Sequence, residues 1–260
     1  MSAYQHVLAE REGAILWITI NRPASLNALN PLAHREVSAA LDTFTAEPEL
    51  RVAVLTGAGD RAFCVGSDLK SRAERNADDH PSTGFAGISH RFDLMKPVIA
   101  AVNGLALGGG TEIVAACDMA IAADHAEFAL PEPRVGLAAL GGGGLQRLAR
   151  TMPLKHAMDL VLTGRRIGAA EAKAMGLINE VVPAAELKAR VRKIAEMIIA
   201  GAPLAIEASK QVMLRSLETG SLQDALRATY PAAERMLASE DAKEGQRAFV
   251  EKRQPNWQGR

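Results

Sequence analysis

Through the first two-thirds of the chain, short apolar runs rich in β-branched residues alternate with segments that have helical spacing. The runs Gly13 to Ile20 (GAILWITI), Arg51 to Thr56 (RVAVLT), Pro97 to Val102 (PVIAAV) and Asp118 to Ala122 (DMAIA) predict strands. Between the first two, Pro31 to Ala46 predicts a helix, with proline at its start and Pro48 just beyond its end. The second and third strands each run into a glycine-containing turn, which suggests stacked strand-strand-helix units without a regular sequence repeat. The fold class expected from this alternation is α/β.

Two later segments break the pattern. Residues 71 to 95 are the most polar and least periodic part of the chain, and read as a mobile loop and short helix near a bound molecule. From Pro183 the composition turns to Ala, Leu, Lys, Arg and Glu, and Ala184 to Ala200, Pro203 to Glu218, Ser221 to Leu237 and Glu240 to Lys252 read as helices. The expected organisation is a core over residues 1–182 and a helical region over 183–260, whose Ala- and Met-bearing faces suit packing against another subunit.

Charge narrows the partners. Lys and Arg total 30, and so do Asp and Glu, so no strong field draws in nucleic acid or an anionic membrane. An aromatic content of 4% argues against stacking on single-stranded bases. Cys64 and Cys117 form no Cys-x-x-Cys pair, and the six histidines show no ligand spacing, so no metal is expected. The N-terminal stretch lacks a secretory pattern and no apolar run reaches spanning length, which makes a cytoplasmic protein the expectation.

The chemistry concentrates around Gly108-Gly109-Gly110-Thr111-Glu112, where three glycines open a helix. A phosphate cradle is one reading, but the spacing is not Gly-x-Gly-x-x-Gly and no Gly-Lys-Ser or Gly-Lys-Thr follows. Alternatively, the backbone N–H groups at the helix start stabilise an oxyanion, which requires a second donor. Cys64-Val65-Gly66-Ser67-Asp68 offers that donor from another strand end. Glu112 lies in the first turn, and Leu130-Pro131-Glu132-Pro133 supplies a second carboxylate. Two carboxylates beside an oxyanion hole suit proton transfer or water addition next to an activated carbonyl.

These residues, in this order, resemble the enoyl-CoA hydratase/isomerase (crotonase) superfamily over nearly the whole chain. The markers include Asn21-Arg22-Pro23, Asn27-Ala28-Leu29, the Phe63 to Lys70 turn, Lys96 to Gly104, Leu107 to Glu112, Phe128 to Glu132, Gln146-Arg147-Leu148 and Ala248 to Arg253. The resemblance implies a spiral of stacked β-β-α units with a helical C-terminal oligomerisation region, assembled as a trimer or a hexamer of paired trimers. It implies an oxyanion hole from the N–H groups of Ser67 and Gly109, with Glu112 assisting attack of water at the β carbon and Glu132 delivering a proton to the α carbon. Ser67, Asp68, Leu69 and Lys70 match the segment along the coenzyme A moiety. Arg22 and Lys70 are candidates for its phosphates, and Phe249 and Lys252 for a C-terminal contact to it. The expected substrate is an acyl-CoA thioester, with no separate cofactor.

The chain departs from the family pattern at Val65, where alanine is usual, and at Gly136 to Gly144, which lacks a common proline and is one residue longer. Gly84-Phe85-Ala86-Gly87, Thr163 to Arg166 and the segment Glu251 to Arg260 are similar to carnitinyl-CoA dehydratases. Isomerase and hydrolase activities share the oxyanion hole and differ in the acid-base set. RNA-binding members of the fold lack the glutamates, and the retention of Glu112 and Glu132 argues against that class. Cys64 reads as a small buried thiol rather than a nucleophile.

Overall fold

The structure is a computed structural model that describes residues 4–68 and 80–260; Leu69, Lys70 and the first part of the polar segment 71–95 lie outside the described residues. Two sheets organise the N-terminal unit. The larger orders its strands β1-β2-β3-β5-β7-β10 and the smaller β4-β6-β8-β9. Here β1 is Val7–Glu12, β2 Ile15–Ile20, β3 Val52–Gly57, β4 Ala62–Cys64, β5 Val98–Val102, β6 Leu105–Leu107, β7 Met119–Ala123, β8 Glu127–Ala129, β9 Ile167–Gly168 and β10 Glu180–Val182.

The sheet orders reveal the repeat. β3, β5 and β7 pair in parallel within the larger sheet, and each is followed at once by a strand of the smaller sheet, where β4, β6 and β8 also run parallel. Each strand pair thus adds one layer to both sheets. β3 and β5 are buried along almost their whole length, as expected of parallel strands covered on both faces. Beyond the strands expected from the sequence, the structure adds short β6, β9 and β10 and the longer β1, an antiparallel edge strand paired with β2, in which only Val7 is buried; it carries no apolar alternation to predict it from.

The helix α1, Pro31–Ala46, begins where expected, capped by the Asn30 side chain accepting from Ala33 N–H at 2.9 Å. In chain order the other helices of this unit are α2 Gly109–Ala116, α3 Gly144–Thr151, α4 Leu154–Thr163, α5 Ala169–Ala174 and the start of α6, Leu187–Ile199.

The chain divides into two units, one running to Arg91 and resuming from Val98 to Arg192, the other holding Phe92–Pro97 and Lys193–Arg260, so the division falls inside α6. In the second unit α7 spans Pro203–Ser216, α8 Leu222–Arg227, α9 Pro231–Leu237 and α10 Glu240–Glu251. The single helix expected over Ser221 to Leu237 is therefore two. Pro231 disfavours helical geometry at Tyr230, which is extended at φ −119°, ψ 103°. No single helix among the described residues is long and apolar enough to cross a membrane.

Candidate active site

The triple glycine is required by close approach on every side. A Cβ on Gly110 would overlap the Cys64 carbonyl oxygen, and one on Gly109 would enter the Phe85 ring. Gly108 has φ +53° and donates its N–H to Ala129 O at 2.8 Å, which joins the helix start to the end of β8. Gly109 then opens α2, so its N–H is among the first-turn donors that have no intrahelical acceptor.

The second donor is set by a backbone bridge. Leu29 N–H donates to Gly66 O and Asp68 N–H donates to Leu29 O, each at 2.8 Å. Successive peptide groups of extended backbone face opposite ways, so the Ser67 N–H between them points away from Leu29. A Cβ on Gly66 would sit 3.0 Å from Gly109 N, which places the two turns against each other. Ser67 and Gly109 thereby present neighbouring donors at the positive end of α2.

Glu112, one turn into α2, is only 3% exposed, and its Oε1 accepts the Gly144 N–H at 2.9 Å. Burial raises its pKa, while backbone hydrogen bonds from Gly144 and Gly142 and the charges of Arg147 and His80 pull the other way. Gly142 and Gly144 pack directly on this side chain: a Cβ on Gly142 would lie 2.5 Å from Glu112 Cβ, and one on Gly144 2.8 Å from its Cγ.

Glu132 starts a short 3-10 turn after β8, with Pro131 before it and Pro133 after it. Its Oε1 lies over the helix start, 2.7 Å from where a Gly108 Cβ would be. Its Oε2 is buried without a hydrogen-bond partner among the described residues. Burial raises this pKa too, its own backbone N–H lowers it, and the Glu112 charge raises it further. Two interacting carboxyls of raised pKa beside paired N–H donors can carry one proton between them and move it to and from a carbon next to a polarised carbonyl.

Three neighbours support this arrangement. Phe85 backs Gly109 and meets the His34 ring edge-on, with centroids 4.6 Å apart. His34 Nδ1 accepts the Ala86 N–H at 2.9 Å, and burial pushes its pKa down to about 3, so the imidazole is neutral with its proton on Nε2. Cys64 is fully buried and its thiol is pushed up to about 12, which removes it as a nucleophile near neutral pH.

The structure brings Ser67, Gly109, Glu112 and Glu132 together in the first unit. Arg22 is engaged within the fold: its guanidinium pairs with Asp68 at 2.8 Å and also donates to Ala28 O. Asn27, fully buried in left-handed geometry, accepts the Arg22 N–H and donates to Ala58 O and Ala62 O, so the Asn-Arg-Pro and Asn-Ala-Leu markers brace the Gly66–Asp68 turn and the strand before it. Phe249 is 86% exposed on α10 and Lys252 ends that helix in left-handed geometry, both in the second unit. The roles of Phe85, His34 and the glycines around Glu112 were not legible, because glycines carry no chemistry to read and the other two act through packing.

A family model described as Enoyl-CoA hydratase/isomerase matches residues 10–260. A carnitinyl-CoA dehydratase of Proteus mirabilis is 43% identical over 256 residues, covering 95% of this chain and 96% of that protein. One of Salmonella arizonae is 44% identical over 262 residues, covering 96% and 97%. Among solved structures, the enoyl-CoA hydratase of Mycobacterium tuberculosis superposes with a TM-score of 0.91 at 38% identity, over 98% of this chain and 99% of that one. An enoyl-CoA hydratase of Mycobacterium marinum gives 0.92 at 40% identity with the same coverage.

Proposed function

The chain belongs to the enoyl-CoA hydratase/isomerase family, and on that premise we propose that it adds water reversibly across the α,β double bond of a 2-enoyl-CoA thioester. Ser67 and Gly109 N–H groups hold the thioester oxygen as it gains enolate character. Glu112 and Glu132 hold the water between them; Glu112 takes its proton as oxygen attacks the β carbon, and Glu132 gives a proton to the α carbon. The coenzyme A travels with the substrate, and no further cofactor takes part. The observation that carries this reading is the pair of carboxyls at the helix start, Glu112 buried on the Gly144 N–H and Glu132 with Oε1 over Gly108 and Oε2 buried without a partner among the described residues; burial raises the pKa of both.

Arg22 acts in this account by fixing Asp68 and the turn along the coenzyme A. The family resemblance assigns coenzyme A binding also to Leu69 and Lys70, which lie outside the described residues, and to Phe249 and Lys252 of the C-terminal helix. Exposed apolar residues of the second unit, among them Met197, Met213, Leu214 and Leu217, support assembly into a trimer or hexamer. The similarity to carnitinyl-CoA dehydratases favours one specific form of the reaction, water elimination from carnitinyl-CoA, which uses the same groups in reverse.

Loss of the enoyl-thioester absorbance of crotonyl-CoA tests the reading. The wild type is expected to hydrate it, and Glu112→Gln and Glu132→Gln each to lower kcat by about 10²- to 10⁴-fold with binding nearly intact. Turnover of carnitinyl-CoA but not crotonyl-CoA would select the second form, and turnover of neither would reject both.

A further inference from the structure

Arg147 takes no part in the chemistry above, yet its half-buried guanidinium joins the two loops that frame it. From α3, Nη1 donates to Gly142 O at 3.1 Å and Nη2 donates to Ser89 O at 2.6 Å. The first carbonyl belongs to the glycine loop closed around Glu112, which also supplies the Gly144 N–H bond. Gly143, at φ +72°, wraps the guanidinium so closely that a Cβ there would lie 2.7 Å from Nη1. The second carbonyl belongs to the loop that carries Phe85: Ser89 Oγ accepts the Phe85 N–H at 2.8 Å, and the Phe85 ring backs Gly109. That loop is also fastened to α1, by Ala86 N–H on His34 and by the Ser38–Thr83 hydroxyl pair at 2.8 Å.

We propose that Arg147 is a positioning residue, a strap that fixes the Glu112 loop against the Phe85 loop and so holds the carboxylate in register with the Gly109 donor. The planar fork matters because two carbonyls on separate loops must be met at once, which a single ammonium on a flexible stem does less well. The cation also faces Glu112. Groups whose charge reaches Glu112 are Arg147 from α3, His80 ahead of the Phe85 loop, and Glu132 from the turn after β8. Arg147 opposes the effect of burial on Glu112, so its removal moves the Glu112 titration upward.

The inference rests on the hydratase reading, and its test separates the two. The pH profile of kcat for crotonyl-CoA hydration is measured for wild type, Arg147→Met and Arg147→Lys, with thermal melts to confirm folding. Arg147→Met is expected to lower kcat about tenfold or more, leave KM within about threefold, and shift the acid limb to higher pH. Arg147→Lys keeps the charge but loses one anchor, so its acid limb stays near the wild-type position while kcat still falls. Folded variants that match wild type in both kcat and acid limb would overturn the proposal. Isotope-edited infrared titration of the Glu112 carboxyl, assigned against Glu112→Gln, gives a readout without turnover. If wild type proves inactive, the hydratase reading fails; an upward shift of that titration in Arg147→Met still supports the strap, and an unmoved titration refutes it.

Discussion

Glu112 and Glu132 flank one helix start but are held in different ways. Glu112 sits inside α2 at 3% exposure, its carboxylate already bonded to Gly144 N–H and enclosed by a glycine loop. Glu132 stands on a proline-bounded turn, one oxygen over Gly108 and the other buried without a partner among the described residues. The difference teaches a division of labour. A carboxyl whose bonds are set by the backbone has one geometry, which suits the fixed base proposed for Glu112, whereas Glu132 keeps one oxygen without a bond from the described residues, which suits the proton donor proposed for it.

The largest test of that contrast is the pair of glutamine variants. Both should lose about 10²- to 10⁴-fold in kcat, and a variant losing less than tenfold would strip its residue of an acid-base role. Next is Gly109→Ala, whose Cβ would strike the Phe85 ring and displace the donor; kcat should fall about 10²-fold, the cost of one oxyanion-hole bond. Combining it with Phe85→Ala should recover part of the loss, and no recovery would mean that the ring is not what the Cβ meets.

Stability should move the opposite way for the enclosed acid. The folded pKa of Glu112 is raised, so the stability linked to its protonation is complete below the unfolded pKa and is lost as pH rises through the folded one. Glu112→Gln is therefore expected to melt higher than wild type at pH 8, by about 2–4 °C for each kcal/mol of relieved burial, and to lose that advantage by pH 4. A lower melting temperature at pH 8 would mean that the Gly144 bond outweighs the buried charge. The smallest effect is expected at Ser67→Ala, within about twofold in kcat, because the donor assigned there is backbone.

Much of this was legible in the chain. Buried parallel strands announced themselves as unbroken apolar runs, Asn30 and Pro31 marked the start of α1, and the three glycines before Glu112 pointed to a helix start approached closely by other groups. Edge strand β1 was hidden because only Val7 is buried, and the break at Pro231 was hidden by helical composition on both sides. In the site, the two carboxylates proposed for catalysis were readable by type, while the side chains packed around them were not. Arg22 carries a phosphate binder's charge, yet its partners are Asp68 and the Ala28 carbonyl, a fact of tertiary packing.

The central claim is that the two carboxyls add water across the α,β bond of a CoA thioester. Its most direct test is crotonyl-CoA incubated with the enzyme in D2O, with the product's deuterium located by NMR. The account predicts one deuterium at the α carbon and a hydroxyl at the β carbon, and neither with Glu112→Gln or Glu132→Gln. Deuterium at the γ carbon without hydroxylation, or free coenzyme A, would contradict it and assign the site to isomerisation or thioester hydrolysis.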